Sequence, residues 1–478
     1  MSLLPDINGK SIVNSKGAYE RYHIETEEAT DIVRWPSRFK VKVRRTGLAK
    51  LLLSEVRHYG LNTDVLLSRP CMYGVFSGPV GGFAPREELC VGCLRCTTEF
   101  PEFVRVEHNP ERQKLGDSYF HFGHVDTASY EASSGLVPVK GAGYRGKFGG
   151  QDWDGMWTDM SEIVRPTRDG IHGREFISTA VDIGYTPNFL IFDEDGKSVG
   201  AEPKGIKLPL PMLYDLPPSQ HANEKIFRIA AGAAKAVGSL AVIPLRWAES
   251  LSDLAEAMIV HVDETDQEGL TKLSFAPVAV EMDRWDANLL AAIQSQWPET
   301  VVILRAAFDD PNLLSYFEQG VHVFHLTANY HGRSKDGTFV LDLIRAAHAR
   351  FVEAGVRQEI SLIGSGGMIA AEHVPKALIC GLDAVALDTP VMVVLQARFN
   401  GDCVDRDTSD FGLSDKISAE WGIQRLQNLT GSWRDQLLEI MGAMGLREVR
   451  RLRGEMGRAM FMRTLEKEAF AGIEGYDG

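Results

Sequence analysis

The sequence has few cysteines and no long apolar run. Only six of its 478 residues are cysteine, and four of them lie between positions 71 and 96. This clustering favours metal ligation over a disulfide framework, whose cysteines are spread along a small secreted chain. No stretch approaches the roughly 20 apolar residues of a membrane span, and Pro5 and Asp6 stand where a signal peptide would be apolar. We therefore expect a cytoplasmic protein without a membrane partner.

The sequence also lacks an excess of basic residues and a dinucleotide fingerprint. Its 51 Lys and Arg against 65 Asp and Glu give a formal net charge of −14, which disfavours nucleic-acid partners. No G-x-G-x-x-G follows a strand-like run, so NAD(P)H is expected to act through another protein. The composition, 44% hydrophobic and 24% charged, is that of a globular protein. Its length predicts two or three domains, and we expect an oligomer.

Eight short apolar runs follow residue 204 and alternate with helical patterns, as in repeated β-α units. The runs are KLPLPMLY (207–214), LAVIPLR (240–246), MIVHVD (258–263), PVAVEMD (277–283), VVILRAA (301–307), HVFHLTA (322–328), EISLIGS (359–365) and AVALDTP (384–390). Eight is the strand number of a (β/α)8 TIM barrel. The segment after the third run makes a poor helix, and a doubly wound open sheet is the alternative.

The predicted fold is therefore α/β, with a TIM barrel between two other parts. We assign residues 1–140 to an N-terminal iron–sulfur cluster-binding region, 141–411 to the barrel and 412–478 to a C-terminal helical extension. In the extension, LREVRRLRGEMGRAMF (446–461) has the clearest amphipathic pattern. The glycine-rich stretch 141–160 is expected to be a structured loop or barrel cap.

The cysteines predict a metal centre in the N-terminal region. Cys90, Cys93 and Cys96 have the C-x2-C-x2-C spacing of an iron–sulfur ligand run, but Phe100 stands where a fourth cysteine would precede Pro101. Cys71, in a loop rich in glycine, is the favoured fourth ligand of a [4Fe–4S] cluster. A [3Fe–4S] cluster on three cysteines, a zinc site and unliganded thiols are the alternatives. Phe100 is expected to be a packing residue.

A glycine-rich loop follows the seventh run, where TIM barrels commonly hold a phosphate on backbone N–H groups. Gly364, Ser365, Gly366 and Gly367 end this run, and GLDAVALDTP, which contains Asp388 and Thr389, supplies the second half of the cradle. Because one terminal phosphate fits such a cradle, FMN is the expected cofactor. A plain strand-to-helix connection is the alternative.

The stretch from 355 to 399 resembles the end of the FMN-binding synthase domain of glutamate synthase. Further similarities are VVILRAAF, HVFHLTANYHGRS and the tail WRDQLLEIMGAMGLREVRRLRG. The resemblance implies an FMN-dependent oxidoreductase that works beside an iron–sulfur cluster. Two features depart from the family: the cluster cysteines lie in the N-terminal region, and Arg305 stands where the family has a lysine.

Charged residues at the ends of the predicted strands are candidates for the active-site mouth. Arg246 and Arg305 are predicted to lie near the flavin, where a cation stabilises its anionic reduced form. Glu281, Arg305 and His331 are the candidate catalytic residues, with His331 able to move a proton near neutral pH. Arg165, Arg168, His172 and Arg174 are predicted to close over the site or to pin the N-terminal region to the barrel. A salt bridge in the loop layer is the alternative for each.

These features predict an oxidoreductase that passes electrons between a cluster and FMN and acts on a small organic substrate, such as an amino or 2-oxo acid. The expected partners are an electron-donor protein, either ferredoxin or a reductase subunit, and a separate amidotransferase subunit. One alternative is a non-catalytic flavin and iron–sulfur electron-transfer subunit of a larger complex. Another is an FMN-dependent hydroxy-acid oxidase, against which the cysteine motif argues.

Overall fold

A computed structural model describes residues 22–62, 71–78, 83–138, 152–158, 177–199, 202–263 and 267–473. The chain divides into two compact units: Val33–Phe122 is one, and Met1–Ile32 with Gly123–Gly478 is the other. The candidate residues Arg165, Arg168, His172 and Arg174 lie outside the described residues. The division into three domains at 1–140, 141–411 and 412–478 remains a prediction.

The described residues contain sixteen strands. They are β1 (Phe39–Val43), β2 (Val104–His108), β3 (Met156–Thr158), β4 (Val181–Tyr185), β5 (Lys204–Leu208), β6 (Met212–Tyr214), β7 (Ala241–Pro244), β8 (Met258–Val262), β9 (Ala279–Met282), β10 (Val301–Ala307), β11 (Val323–Thr327), β12 (Ser361–Ser365), β13 (Ala384–Leu387), β14 (Arg398–Phe399), β15 (Phe411–Gly412) and β16 (Ala459–Phe461).

Strands β6 to β13 form a closed parallel barrel in chain order, and β13 pairs with β6 through Val385 and Met212. Each barrel strand falls within one of the eight predicted runs. Strand β10 spans its whole run, and the other seven strands are shorter than theirs. Valine, isoleucine, leucine and alanine dominate these strands because they are buried on both faces. The predicted (β/α)8 barrel is confirmed.

Thirteen α-helices occur among the described residues. They are α1 (Arg45–Tyr59), α2 (Arg95–Glu99), α3 (Pro110–Gln113), α4 (Phe122–Ser134), α5 (Glu224–Ala236), α6 (Leu245–Ala248), α7 (Ala287–Gln296), α8 (Leu313–Glu318), α9 (Val340–Glu353), α10 (His373–Cys380), α11 (Thr389–Val394), α12 (Ala419–Ala443) and α13 (Met462–Phe470). None of them is long and apolar enough to span a membrane.

The barrel helices begin where the sequence supplies caps. The Asn223 side chain accepts the backbone N–H of Ile226 at the start of α5, and Asp286 accepts those of Asn288 and Leu289 at the start of α7. Among the described residues between β8 and β9 the chain forms a 3₁₀ turn, Gln267–Lys272, in the stretch predicted to be a poor helix. This element pattern places every strand's carboxyl end at one mouth of the barrel.

The opposite end of the barrel is covered by the antiparallel pair of β4 and β5. The hydroxyl of Ser361, the first residue of β12, donates to the Gly184 carbonyl and accepts the Gly184 N–H, both at 2.9 Å. The sequence pattern joined β5 to β6 in one run, 207–214. The structure separates them because residues 204–208 belong to this lower hairpin.

The predicted amphipathic segment 446–461 is not one helix. It forms 3₁₀ turns at Val449–Leu452 and Met456–Arg458 and then β16, which pairs with β3. Gly454 has φ +74°, a left-handed conformation that ends a helix. Arg453 contacts Asp383 at 2.9 Å, so this arginine binds the barrel rather than lining a helix face.

Candidate active site and cysteine cavity

A buried network of ionisable side chains lies at the carboxyl ends of the barrel strands. Arg305 of β10 donates from both terminal nitrogens to the two oxygens of Asp215, at 2.8 and 2.9 Å. Its Nη1 also donates to Glu281 Oε1 of β9 at 3.1 Å. Glu281 contacts two histidines, with His261 Nδ1 at 2.9 Å and His325 Nδ1 at 2.5 Å. The five side chains form one connected group.

The strand register explains why these residues meet. His261 lies opposite Glu281 on adjacent strands β8 and β9, and Arg305 lies opposite His325 on β10 and β11. Inward-pointing residues of neighbouring barrel strands stack in layers, so polar residues at these positions face one another in the interior. Glu281 is fully buried and Arg305 only 15% exposed in its side chain.

The charges in the network hold its carboxyl groups ionised. Burial alone would raise the pKa of Asp215, but the charges of Arg305 and His325 outweigh it and lower this pKa to about 2. The pKa of Glu281 is lowered well below its usual value by the same two residues against the effect of burial. Burial opposes the charged form of Arg305, whose pKa is nonetheless raised by Asp215 and Glu281. The arginine is thus a fixed cation between two fixed anions.

Asp388, just after β13, differs from these carboxyl groups. Burial, followed by the negative charge of Asp215, raises the pKa of Asp388 to about 7. The backbone N–H of Thr389 donates to its Oδ1 at 2.5 Å, which offsets part of this effect. The pKa of Tyr330 is affected by the same residues. Burial and then the charges of Asp388 and Asp215 raise this pKa well above its usual value. Asp388 can therefore hold or release a proton near neutral pH.

Three buried polar atoms around Asp215 and Asp388 lack a hydrogen-bond partner among the described residues: His325 Nε2, Tyr330 Oη and Thr389 Oγ1. His325 Nε2 lies 3.7 Å from Asp215 Oδ2, beyond hydrogen-bonding distance. Because buried polar groups are nearly always paired, such atoms indicate a place for a polar ligand. These atoms therefore indicate that the barrel mouth can bind a polar cofactor or substrate.

The predicted phosphate loop lies at this mouth. Gly364 and Ser365 end β12, and Gly366 and Gly367 turn the chain towards α10 with φ of +99° and +73°. A Cβ on Gly366 would meet the carbonyl oxygens of Asn329 at 2.7 Å and Ala328 at 2.8 Å. This glycine is therefore required by the packing of two barrel loops, independently of any ligand.

Residues 152–158 pack against the phosphate loop. Trp153 donates its indole N–H to the Gly367 carbonyl at 2.9 Å and stacks on the ring of His373 at the start of α10, with centroids 5.1 Å apart. Asp152 binds Arg333 through both carboxylate oxygens, at 2.9 and 3.0 Å. This segment fixes the loops that follow β11 and β12.

The other two predicted mouth residues follow strands β7 and β11. Arg246 lies on the short helix α6, and its side chain is exposed. His331 is half-buried in the loop after β11. Sequence reasoning found Glu281 and Arg305 but missed Asp215, His261, His325 and Tyr330. The two histidines had a signal, since each is a polar residue inside an otherwise apolar strand.

The four predicted cysteine ligands line one small cavity in the unit Val33–Phe122. Its volume is about 20 Å³, and Cys71, Cys90, Cys93 and Cys96 share its walls with apolar side chains. The other lining residues are Val41, Tyr73, Val75, Phe76, Val91, Gly92, Leu94 and Val106. Gly92 and Leu94 have left-handed backbones, with φ of +71° and +59°, which makes the tight turn between successive cysteines. Cys71 therefore lines the same cavity as the three cysteines of the C-x2-C-x2-C run.

Burial raises the pKa of the Cys90 and Cys96 thiols, and the neighbouring cysteines add to this effect. Among the described residues no three His, Cys, Asp or Glu side chains are grouped closely enough to hold a single metal ion. Cysteine thiolates are ligands of iron–sulfur clusters and of zinc alike, so the four thiols are a donor set that either group can use. Phe100 packs against Phe103, with ring centroids 5.2 Å apart.

Comparison with known proteins supports the resemblance seen in the sequence. Residues 327–447 match the family model described as the conserved region in glutamate synthase. Archaeal glutamate synthase (NADPH) of Methanocaldococcus jannaschii is 35% identical over 131 residues, which are 26% of this chain and 26% of that protein. Archaeal-type glutamate synthase (NADPH) of Dehalococcoides mccartyi is 21% identical over 444 residues, covering 77% of this chain and 86% of that protein.

Residues 327–447 are therefore similar to the conserved region in glutamate synthase, and the predicted resemblance is confirmed. The matched residues include the glycine loop, Asp388 and Thr389. The relatives support the predicted class, a glutamate synthase-like oxidoreductase. The alignment with the M. jannaschii protein spans about a quarter of that protein's length. Among solved structures, mandelate oxidase aligns with a TM-score of 0.39 and 13% identity over 62% of this chain and 97% of that one, a similarity too low to bear on function.

Proposed function

We propose that this chain is an FMN- and iron–sulfur-dependent oxidoreductase of the glutamate synthase type that acts on a small organic substrate, an amino or 2-oxo acid. The observation that carries the proposal is the buried ion network together with the three nearby polar atoms that lack a partner among the described residues. The network lies at the mouth of a TIM barrel whose last strands match the conserved region in glutamate synthase.

FMN would be held by the loop Gly364–Gly367 and by Asp388 and Thr389. When bound, FMN supplies hydride transfer. Arg305 would face the cofactor or an anionic substrate group with a charge that its two carboxylate partners hold in place. The exposed Arg246 would be a second cation at the rim.

The proton-handling groups are assigned by their surroundings. Asp388, with its pKa near 7, and Tyr330 beside it would hold and move a proton at the substrate. Glu281 would position His261 and His325, since it accepts a hydrogen bond from each. His331, at the entrance, is the further candidate for proton transfer from solvent.

Cys71, Cys90, Cys93 and Cys96 would ligate a [4Fe–4S] cluster, with a three-iron cluster as the alternative. Apolar side chains form the rest of the cavity wall, and solvent exposure is one of the properties that set a cluster's potential. A cluster carries one electron at a time, so we propose that a separate electron-donor protein, ferredoxin or a reductase subunit, supplies the electrons. The named relatives use NADPH, and an amidotransferase subunit would supply ammonia if glutamate is the product.

The test is anaerobic purification followed by three measurements: the released flavin identified by chromatography, iron and acid-labile sulfide per chain, and the absorbance change on adding candidate amino and 2-oxo acids. FMN with about four irons, and a change in flavin absorbance with one substrate, are expected. Absence of both flavin and iron from protein reconstituted with each would overturn the proposal. FMN and iron without any substrate response would instead favour a non-catalytic electron-transfer subunit.

A further inference from the structure

The loop between β4 and β5 carries four consecutive exposed apolar side chains. The exposed fractions are 81% for Phe189, 64% for Leu190, 61% for Ile191 and 57% for Phe192, and Val199 on the returning strand is 45% exposed. Single apolar residues at a surface need no explanation, but a contiguous patch marks an interaction site. We call residues 189–192 and Val199 the apolar hairpin.

The apolar hairpin has a defined backbone conformation. Val199 donates its N–H to the Ile191 carbonyl at 2.7 Å, and Asp193 donates to the Lys197 carbonyl at 2.9 Å. The Asp193 side chain accepts the N–H groups of Asp195 at 3.0 Å and Lys197 at 2.8 Å, which closes the turn. A segment held in this way has little conformational freedom left to lose when it binds.

The apolar hairpin lies at the end of the barrel away from the active-site mouth. Asn188, at its base, donates to Glu359 Oε1 at 2.8 Å and to the Gly355 carbonyl at 3.1 Å, and both partners precede β12. The network and the glycine loop follow the other ends of the strands. A permanent partner can cover the hairpin without blocking the mouth.

The chemistry and size of this surface fit a second copy of the chain. Its five large side chains are all apolar, as in the core of permanent interfaces. With about 200 Å² for each large apolar side chain, the exposed fractions sum to roughly 600 Å². Two such surfaces joined about a two-fold axis can bury at most about 1,200 Å², the lower end of specific interfaces. Asp193, Glu194 and Asp195 at the tip oppose an anionic membrane surface.

We propose that the apolar hairpins of two copies pack against each other about a two-fold axis and so form a homodimer. The inference is independent of the proposed function, since it concerns neither cofactor nor substrate. It predicts that the full-length protein sediments at twice its chain mass of 52.9 kDa.

The test is sedimentation equilibrium of the full-length protein and of the double variant Phe189→Ser, Phe192→Ser over a range of concentrations. Because symmetry removes both phenylalanines from each copy, the dimer dissociation constant should rise at least about 100-fold. Leu53→Ser on α1 is the control, since Leu53 is 76% exposed but lies outside the hairpin. It should leave the dissociation constant unchanged, and circular dichroism should show all variants folded.

Hydrogen exchange in the unaltered protein gives a second measurement that needs no variant. Backbone amides of residues 189–192 should be protected at high protein concentration and lose protection on dilution. A monomer at every concentration, a dimer equally stable in the double variant, or protection that appears only with a different co-purified protein would each overturn the proposal.

Discussion

At the scale of single residues, Arg305 is expected to make a large contribution to the free energy of unfolding. Among the described residues, Arg305 is the arginine that forms ion pairs with both Asp215 and Glu281, two buried carboxylates. Arg305→Met should lower the free energy of unfolding by about 3–5 kcal/mol, because it leaves two buried carboxylates without their partner. Arg246→Met, at an exposed position, should change it by less than about 0.5 kcal/mol. Denaturant unfolding at pH 7 measures both, and equal losses would show that the network does not stabilise the fold.

Asp388 should make stability depend on pH in an unusual direction. Its folded pKa of about 7 lies above the usual 3.8, so the native state binds the extra proton between these values. The contribution of Asp388 to the free energy of unfolding is therefore largest below about pH 4. It falls by up to about 1.4 kcal/mol per pH unit as the pH rises towards 7. Asp388→Asn should flatten the unfolding free energy of the flavin-free protein across this window. A variant that keeps the slope would place the titration elsewhere.

Thr389 offers a separate test of the ligand site. Its hydroxyl is buried without a partner among the described residues, so an isosteric Thr389→Val should not destabilise the flavin-free protein. If the hydroxyl binds the cofactor, FMN affinity should fall about tenfold, the value of one hydrogen bond. Thr46→Val, at an exposed position of α1, serves as the control. Lower stability with unchanged FMN affinity would mean that the hydroxyl has a structural partner instead.

At the scale of elements, the strands could be predicted and their partners could not. A buried parallel strand appears in the sequence as an apolar run, so all eight barrel strands could be located. The same pattern does not distinguish β5, which covers the lower end of the barrel, from β6 inside it. The segment 446–461 has helical periodicity, but Gly454 and the contact of Arg453 with Asp383 prevail over it. Such long-range contacts leave no periodic trace.

The site was predictable to the same extent. Glu281 and Arg305 could be inferred from their places near strand ends, and the glycine loop from its position after the seventh strand. Asp388 could be proposed from its place after the eighth run, but its raised pKa follows from burial beside Asp215, 173 positions earlier in the chain. Cys71 is the proposed fourth ligand because the N-terminal region has no other cysteine outside the C-x2-C-x2-C run. What the sequence lacked was the register that brings His261 and His325 to Glu281.

The glycine loop is an element whose structural and ligand-binding roles can be separated. Gly366→Ala should lower the free energy of unfolding by about 1–3 kcal/mol even without flavin, because its φ is +99° and its Cβ would meet two carbonyl oxygens. Gly337→Ala is the matched control, with φ +89° but nothing within 4 Å of the added carbon. It should cost only about 1 kcal/mol of backbone strain. Thermal unfolding of the flavin-free variants gives the comparison, and equal losses would mean that the loop carbonyls move aside.

At the scale of the whole molecule, the two predicted centres lie in different units of the chain. All four cluster cysteines belong to Val33–Phe122, while the ion network and glycine loop belong to the other unit. Metal binding stabilises the unit that supplies the ligands, so loss of the cluster should act mainly on Val33–Phe122. The two cofactors should therefore be separable by single substitutions.

Cys71→Ser should lower iron to roughly three per chain or remove the cluster, because an iron without its thiolate is easily lost. FMN should remain stoichiometric in this variant, whereas Thr389→Val should lower FMN affinity and keep the iron. Cys380→Ser is the control, since Cys380 is buried beside Met156 in the barrel unit and burial raises the pKa of its thiol to about 12. It should keep both cofactors.

The measurement is the count of iron, acid-labile sulfide and flavin per chain in one anaerobic preparation of each variant. If Cys71→Ser keeps all its iron and its oxidised protein is paramagnetic as before, three cysteines alone hold a [3Fe–4S] cluster, and Cys71 is a packing residue of the cavity wall.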